Sequence, residues 1–185
     1  MNHLGTKELK TQRLILRKFK IEDYLDMYDN WASEDEVTKY LTWPTHATPE
    51  ITKSVLTEWV GQYEKKDFYN WAIELKSEKI IIGNFSVVYV NEKAESAILG
   101  YCMGSKWWGK ELMKEAGLAV IKFLFNEVGF NRVAACHDKG NPASGRVMQK
   151  MGMTYDGTLR SAAYSNQGIV DEVWYSILKS EYFGT

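Results

Sequence analysis

A chain of 185 residues that is 45% hydrophobic and 25% charged is long enough to bury one sizeable core and too apolar to remain disordered. Its formal net charge of -1 supplies no general basic field, which excludes broad nucleic-acid binding. No run of about eighteen apolar residues is present to cross a membrane. The opening MNHLGTKELKTQRLILRKFK lacks the apolar stretch of a secretory signal. A single cytoplasmic domain over residues 1–185 is the expectation, as a monomer or a homodimer.

Thr11 to Lys18 alternates polar and apolar residues and predicts a first strand, with Leu14 and Leu16 on one face and Ile15 on the other. From Glu22 to Leu41 the period becomes helical, with Tyr24, Met27, Tyr28 and Trp31 recurring at three- and four-residue steps. Trp43-Pro44-Thr45-His46 interrupts it. Thr48 as N-cap and Pro49 at the first helical position then start a second helix, with Val55, Trp59 and Tyr63 on its inner face.

Three strands follow, Phe68–Leu75, Ile80–Val90 and Ser96–Met103, joined by short polar turns into an antiparallel meander. Gly109–Val128 predicts an amphipathic helix with Leu112, Ala116, Ala119 or Val120, Phe123 and Leu124 on its buried stripe. Arg132–Cys136 is the next strand, and the crossover rule makes it a parallel neighbour of Ser96–Met103. Pro142–Met151 is a short helix ended by a left-handed Gly152. Strands near Thr154–Leu159 and Ile169–Leu178, turning at Asn166-Gln167-Gly168, close the chain. The order predicts a mixed α/β fold with a central, mostly antiparallel sheet of about seven strands flanked by helices. Cys102 and Cys136 sit in apolar strand-like runs without a CxxC spacing, and His3, His46 and His137 are scattered. Reduced thiols and no metal site are expected.

The most informative stretch is Gly100–Met153. A strand, a glycine-containing loop and a helix N-terminus bring backbone N–H groups to one point, where an anionic phosphate binds. Lys106-Trp107-Trp108-Gly109-Lys110-Glu111 resembles the (Gln/Arg)-x-x-Gly-x-(Gly/Ala) loop of the GNAT superfamily of N-acetyltransferases. Asn141-Pro142-Ala143-Ser144 resembles the Asn-x-x-Ser of its RimJ/RimL-like branch. The element order is also that of the GNAT fold, so the resemblance covers nearly the whole chain.

It implies acetyl-CoA as cosubstrate and acetyl transfer to a primary amine, either a protein N-terminus such as that of a ribosomal protein or a small amine. It places the pyrophosphate against Lys106, Gly109, Lys110, Glu111 and Leu112, and the pantetheine arm beside Tyr101, Met103 and Asn141. The Met103 N–H would face the thioester carbonyl, and Ser144 would protonate the departing thiolate. Glu111 departs from the pattern. A carboxylate beside a pyrophosphate is repulsive, so weakened binding is expected, offset by Lys106, Lys110 and Lys114.

No general base stands out. Relatives carry acids where this chain has Ile98 or Ala162-Ala163, which leaves Asp171, Glu172, Glu74 and His137 as candidates. Trp31, Tyr40, Trp43 and Tyr164 are candidates to line the acceptor cleft, with Glu34, Asp35 and Glu36 to attract a cation. These absences keep a second reading open: a catalytically silent GNAT-fold domain that binds CoA or a partner.

Overall fold

The computed structural model describes residues 1–184. Eight strands form one sheet in the order β1-β2-β3-β4-β5-β6-β8-β7. They are β1 (Leu9–Lys10), β2 (Leu14–Arg17), β3 (Asn70–Leu75), β4 (Ile80–Asn91), β5 (Ser96–Met103), β6 (Arg132–Asp138), β7 (Thr154–Ser165) and β8 (Gly168–Leu178). All neighbours are antiparallel except β5 and β6. The strand beyond the expected seven is β1, a two-residue segment paired with β2.

The helices are α1 (Tyr24–Met27), α2 (Asp35–Thr38), α3 (Pro49–Gly61), α4 (Leu112–Phe123), α5 (Pro142–Lys150) and α6 (Lys179–Phe183). Two cores result. The larger joins Leu14, Leu16, Trp71, Phe85, Leu99, Val133 and Tyr175 of the sheet to Ala116, Val120 and Phe123 of α4 and Met148 of α5. The smaller lies beneath α1 and α3, around Phe19, Met27, Trp31, Leu56 and Ile81. Burying such side chains contributes about 1.5–3 kcal/mol each.

Several boundaries differ from the sequence expectation, each for a local reason. The continuous helix expected over Glu22–Leu41 is broken into a 3-10 turn at Ile21–Asp23, α1, a wide π turn at Tyr28–Ala32, and α2. The π turn is closed by Ser33, whose N–H and hydroxyl both donate to the Tyr28 carbonyl at 3.2 and 2.7 Å. A side chain competing for backbone in this way widens or ends a helix. On α3 the fully buried positions are Thr52 and Leu56, while Val55 and Trp59, and Tyr63 just past its end, pack at the edge of the smaller core. Pro49 opens α3, but the Thr48 side chain makes no cap bond. β7 runs on to Ser165 past a bulge in which Ser161 has a φ of 50°. The long helix ends at Phe123 and continues as a π turn, Leu124–Val128, before a left-handed Gly129.

The features that shape the site are the ends of β5 and β6. Their parallel ladder stops at Leu99↔Ala135, yet β5 continues along β4 to Met103 and β6 continues along β8 to Asp138. The two strands therefore splay, and α4 and α5 begin on either side of the opening. The loop after β5 is pinned from behind. Gly104 lies so close to the Asn30 carbonyl that a Cβ would stand 2.0 Å from it, and the Ser105 N–H donates to Glu34 Oε2 at 3.3 Å.

Candidate active site

A cleft of about 520 Å³ occupies the splay, walled by Tyr101 and Met103 of β5, Trp108 and Gly109 of the loop, and Asn141 and Ser144 of α5. This is the size of a small-molecule site. Gly104 N–H donates to the Ile82 carbonyl on β4 at 3.0 Å. By the alternation of an antiparallel ladder, the N–H and C=O of Met103 then face away from β4 and into the splay. The carbonyl is taken by the Trp108 indole, which donates from Nε1 at 2.7 Å. The N–H is aimed at the opening.

On the first bank, α4 starts without a side-chain cap. Gly109 and Glu111 both hold left-handed backbone, φ 73° and 62°. This double turn leaves the first N–H groups of α4 without a side-chain partner at the positive end of the helix dipole, an arrangement suited to an anion. Gly109 is needed for its conformation rather than for space, since nothing lies near the position a Cβ would take. Glu111 turns towards α5 and pairs with Lys150, and with Lys114 at 3.7 Å. The Lys150 hydrogen bond holds its carboxyl below the usual range. The charges that balance it are therefore Lys114 and Lys150; Lys106 lies over the Trp107 ring, and Lys110 is outside the cleft wall.

On the second bank, Asn141 caps α5: its Oδ1 accepts the Ser144 N–H at 3.3 Å. The Ser144 hydroxyl lies 2.9 Å from the Tyr101 hydroxyl. Burial pushes the Tyr101 phenol well above its ordinary range. The cysteines are half-buried free thiols, each pushed up to about 12 by desolvation, with Glu172 adding to the shift of Cys136. Cys102 donates to Asn84 Oδ1 and Cys136 to Glu172 Oε1.

The three acidic base candidates are each engaged, and His137 is engaged at one ring nitrogen. Glu74 binds Arg17 at 2.7 Å in a half-buried network with Asp23. Asp171 pairs with Lys139 and accepts the Ser161 N–H. Glu172 accepts from the Cys136 thiol and the Trp174 indole. His137 Nδ1 lies 2.7 Å from the Asp138 carbonyl.

Among the acceptor-cleft candidates, Trp31 is wholly buried in the smaller core and is removed from that list. Tyr40 and Glu36 do line the cleft. Trp43 packs on His46, and Tyr164 is exposed on β7. Glu34 and Asp35 are held by Ser105 and Thr45. The residue that sequence reasoning missed is Trp108. The doubled Trp107-Trp108 was its only signal, and nothing in the pair says that the first is buried and the second is 46% exposed.

Among the described residues, no three His, Cys, Asp or Glu side chains gather as a metal would require, and no helix is long and apolar enough to cross a membrane.

A sheet splayed between an uncapped helix start and a capped one forms a wedge open to a small ligand that carries an anionic group, as an acyltransferase holding a phosphate-bearing thioester would need. Comparison with known proteins agrees. The profile of the acetyltransferase (GNAT) domain matches residues 13–154, and the chain belongs to that family. It is 30% identical to the uncharacterised N-acetyltransferase YoaA of Bacillus subtilis, over 92% of this chain and 96% of that protein. It is 28% identical to the uS5-alanine N-acetyltransferase of Escherichia coli, over 80% of this chain and 79% of the relative. A GNAT-family acetyltransferase structure from Bacillus anthracis superposes with a TM-score of 0.83 at 26% identity, covering 95% of this chain and 100% of that one. The protein is an acetyl-CoA-dependent N-acetyltransferase with RimJ/RimL-like relatives.

Proposed function

We propose that the enzyme moves an acetyl group directly from acetyl-CoA to a primary α-amine, with both substrates bound in the cleft at once. The observation that carries this reading is the splay itself, where the Met103 N–H faces the opening between the two helix starts. In this reading the N–H groups of Leu112 and its neighbours hold the pyrophosphate, and the arm lies along β5. The Met103 N–H stabilises the oxyanion as the amine attacks. Such a preorganised donor is worth about 2.7–4 kcal/mol where one has been removed. Ser144, on the second bank, gives the leaving sulfur its proton.

The state of the candidate acids bears on the acceptor. Every acid weighed for that role is already bonded to a neighbour, so a substrate that is substantially neutral on its own is favoured. An α-amine, with a pKa of about 7.7–8.0, meets that condition better than a lysine at about 10.4. The relative from Escherichia coli, an alanine N-acetyltransferase of ribosomal protein uS5, supports a protein N-terminus of that kind.

Two measurements test the proposal. Acetyl-CoA at one hundred times its Kd is expected to stabilise the fold by about 2.7 kcal/mol, read as a rise in Tm; no rise at millimolar ligand removes the cosubstrate. A panel of N-terminal peptides and small amines, read by mass for the added acetyl group, is expected to yield product with the α-amines first. Cofactor binding without turnover on any amine would return the protein to a silent, CoA-binding role.

A further inference from the structure

Tyr101 stands on β5 just past the last residue paired with β6. Its ring is stacked on Phe85, centroids 5.3 Å apart and planes within 24°, so its direction is fixed by packing. Its hydroxyl spans the splay to α5 and meets two atoms of one residue, Ser144 Oγ at 2.9 Å and the Ser144 carbonyl at 3.1 Å. Both residues line the cleft.

A phenol has one proton and a serine has one. If the phenol donates to the carbonyl, the serine proton must turn inward to the phenol oxygen to make the 2.9 Å contact. If the phenol donates to Ser144 Oγ, the serine proton is released towards the cleft. The first pattern satisfies both contacts, the carbonyl accepting from the phenol; the second gives up the 3.1 Å bond, and it alone presents a proton to a ligand.

We propose that Tyr101 is a positioning residue for the reaction: with substrate in the cleft its phenol proton turns from the Ser144 carbonyl to Ser144 Oγ, so that the serine hydroxyl points its proton at the departing sulfur. This rests on the reading of Ser144 given above. In the step itself the C–S bond breaks and its electron pair leaves with sulfur. The Ser144 proton passes to sulfur, and Ser144 Oγ regains a proton from the amine nitrogen as that becomes an amide. Tyr101 keeps its own proton throughout, and burial, which makes its ionisation costly, keeps it there.

The test is Tyr101→Phe, which retains the ring and its stacking on Phe85. We expect kcat to fall about tenfold, the weight of one oriented hydrogen bond, with KM for acetyl-CoA and Tm nearly unchanged. Tyr101→Phe combined with Ser144→Ala should be no slower than Ser144→Ala alone, because the two act as one unit. A second readout separates positioning from plain packing. With the selenium analogue of acetyl-CoA, whose leaving selenol is a far stronger acid than a thiol, the Tyr101→Phe deficit should shrink several-fold.

Unchanged kcat in Tyr101→Phe, multiplicative losses in the double variant, or an equal deficit with both donors would each overturn the role of Tyr101. Full activity in Ser144→Ala would instead overturn the reading of Ser144, so the two failures are distinguishable.

Discussion

The two helix starts that flank the cleft solve the same problem in opposite ways. At α5, Asn141 accepts the Ser144 N–H and Pro142 has no N–H to satisfy, so that terminus answers its own backbone demands. At α4 no side chain caps the first turn, and the loop enters through two left-handed residues. A terminus left unsatisfied costs stability unless water or a ligand completes it. On the proposed reading, anion binding belongs to the helix whose start is incomplete, and the orientation of reacting groups to the helix whose start is complete.

Substitutions can break this contrast. The largest effect is expected from Gly109→Val. A β-branched side chain at φ 73° costs about 1–2 kcal/mol and pushes the loop out of its turn. Acetyl-CoA affinity should fall by about tenfold or more, as calorimetric titration would show. Asn141→Ala should remove about 1 kcal/mol of stability through loss of the cap. Its Tm should fall by about 2–4 °C, while ADP, used as a probe of the phosphate loop alone, binds as before. If ADP binding fell with it, the division between the two helices would be wrong. The smallest effect is expected from Glu111→Gly, which relieves left-handed strain and frees Lys114 and Lys150. Acetyl-CoA should bind a few-fold more tightly, most visibly at low salt.

Strand alternation and helix period were enough to place β3 to β6, α3, α4 and α5, because one face of each meets a continuous core. The break within 22–41 was not legible, since it depends on Ser33 reaching back to the Tyr28 carbonyl, a choice that hydrophobic spacing does not record. At the site, the glycine and the Asn-Pro start announced two helix termini. The partner of Glu111 was hidden, because Lys150 lies on a different helix 39 positions away and is brought near only by folding. The indole of Trp108 on the Met103 carbonyl was equally hidden, a contact made by the shape of the 3-10 turn between them.

The short parallel ladder between β5 and β6 has a mechanical consequence. It joins two leaves of the sheet, β1 to β5 and β6 to β8, through only four register pairs, against eight between β4 and β5 and seven between β6 and β8. Only the edge pairings, β1 with β2 and β2 with β3, are as short or shorter, so this is the least-paired seam within the span from β3 to β8. The spine of the opening is made by Ala97, Leu99, Val133 and Ala135, all buried. Where that ladder ends decides where the leaves part, although its residues line no part of the cleft.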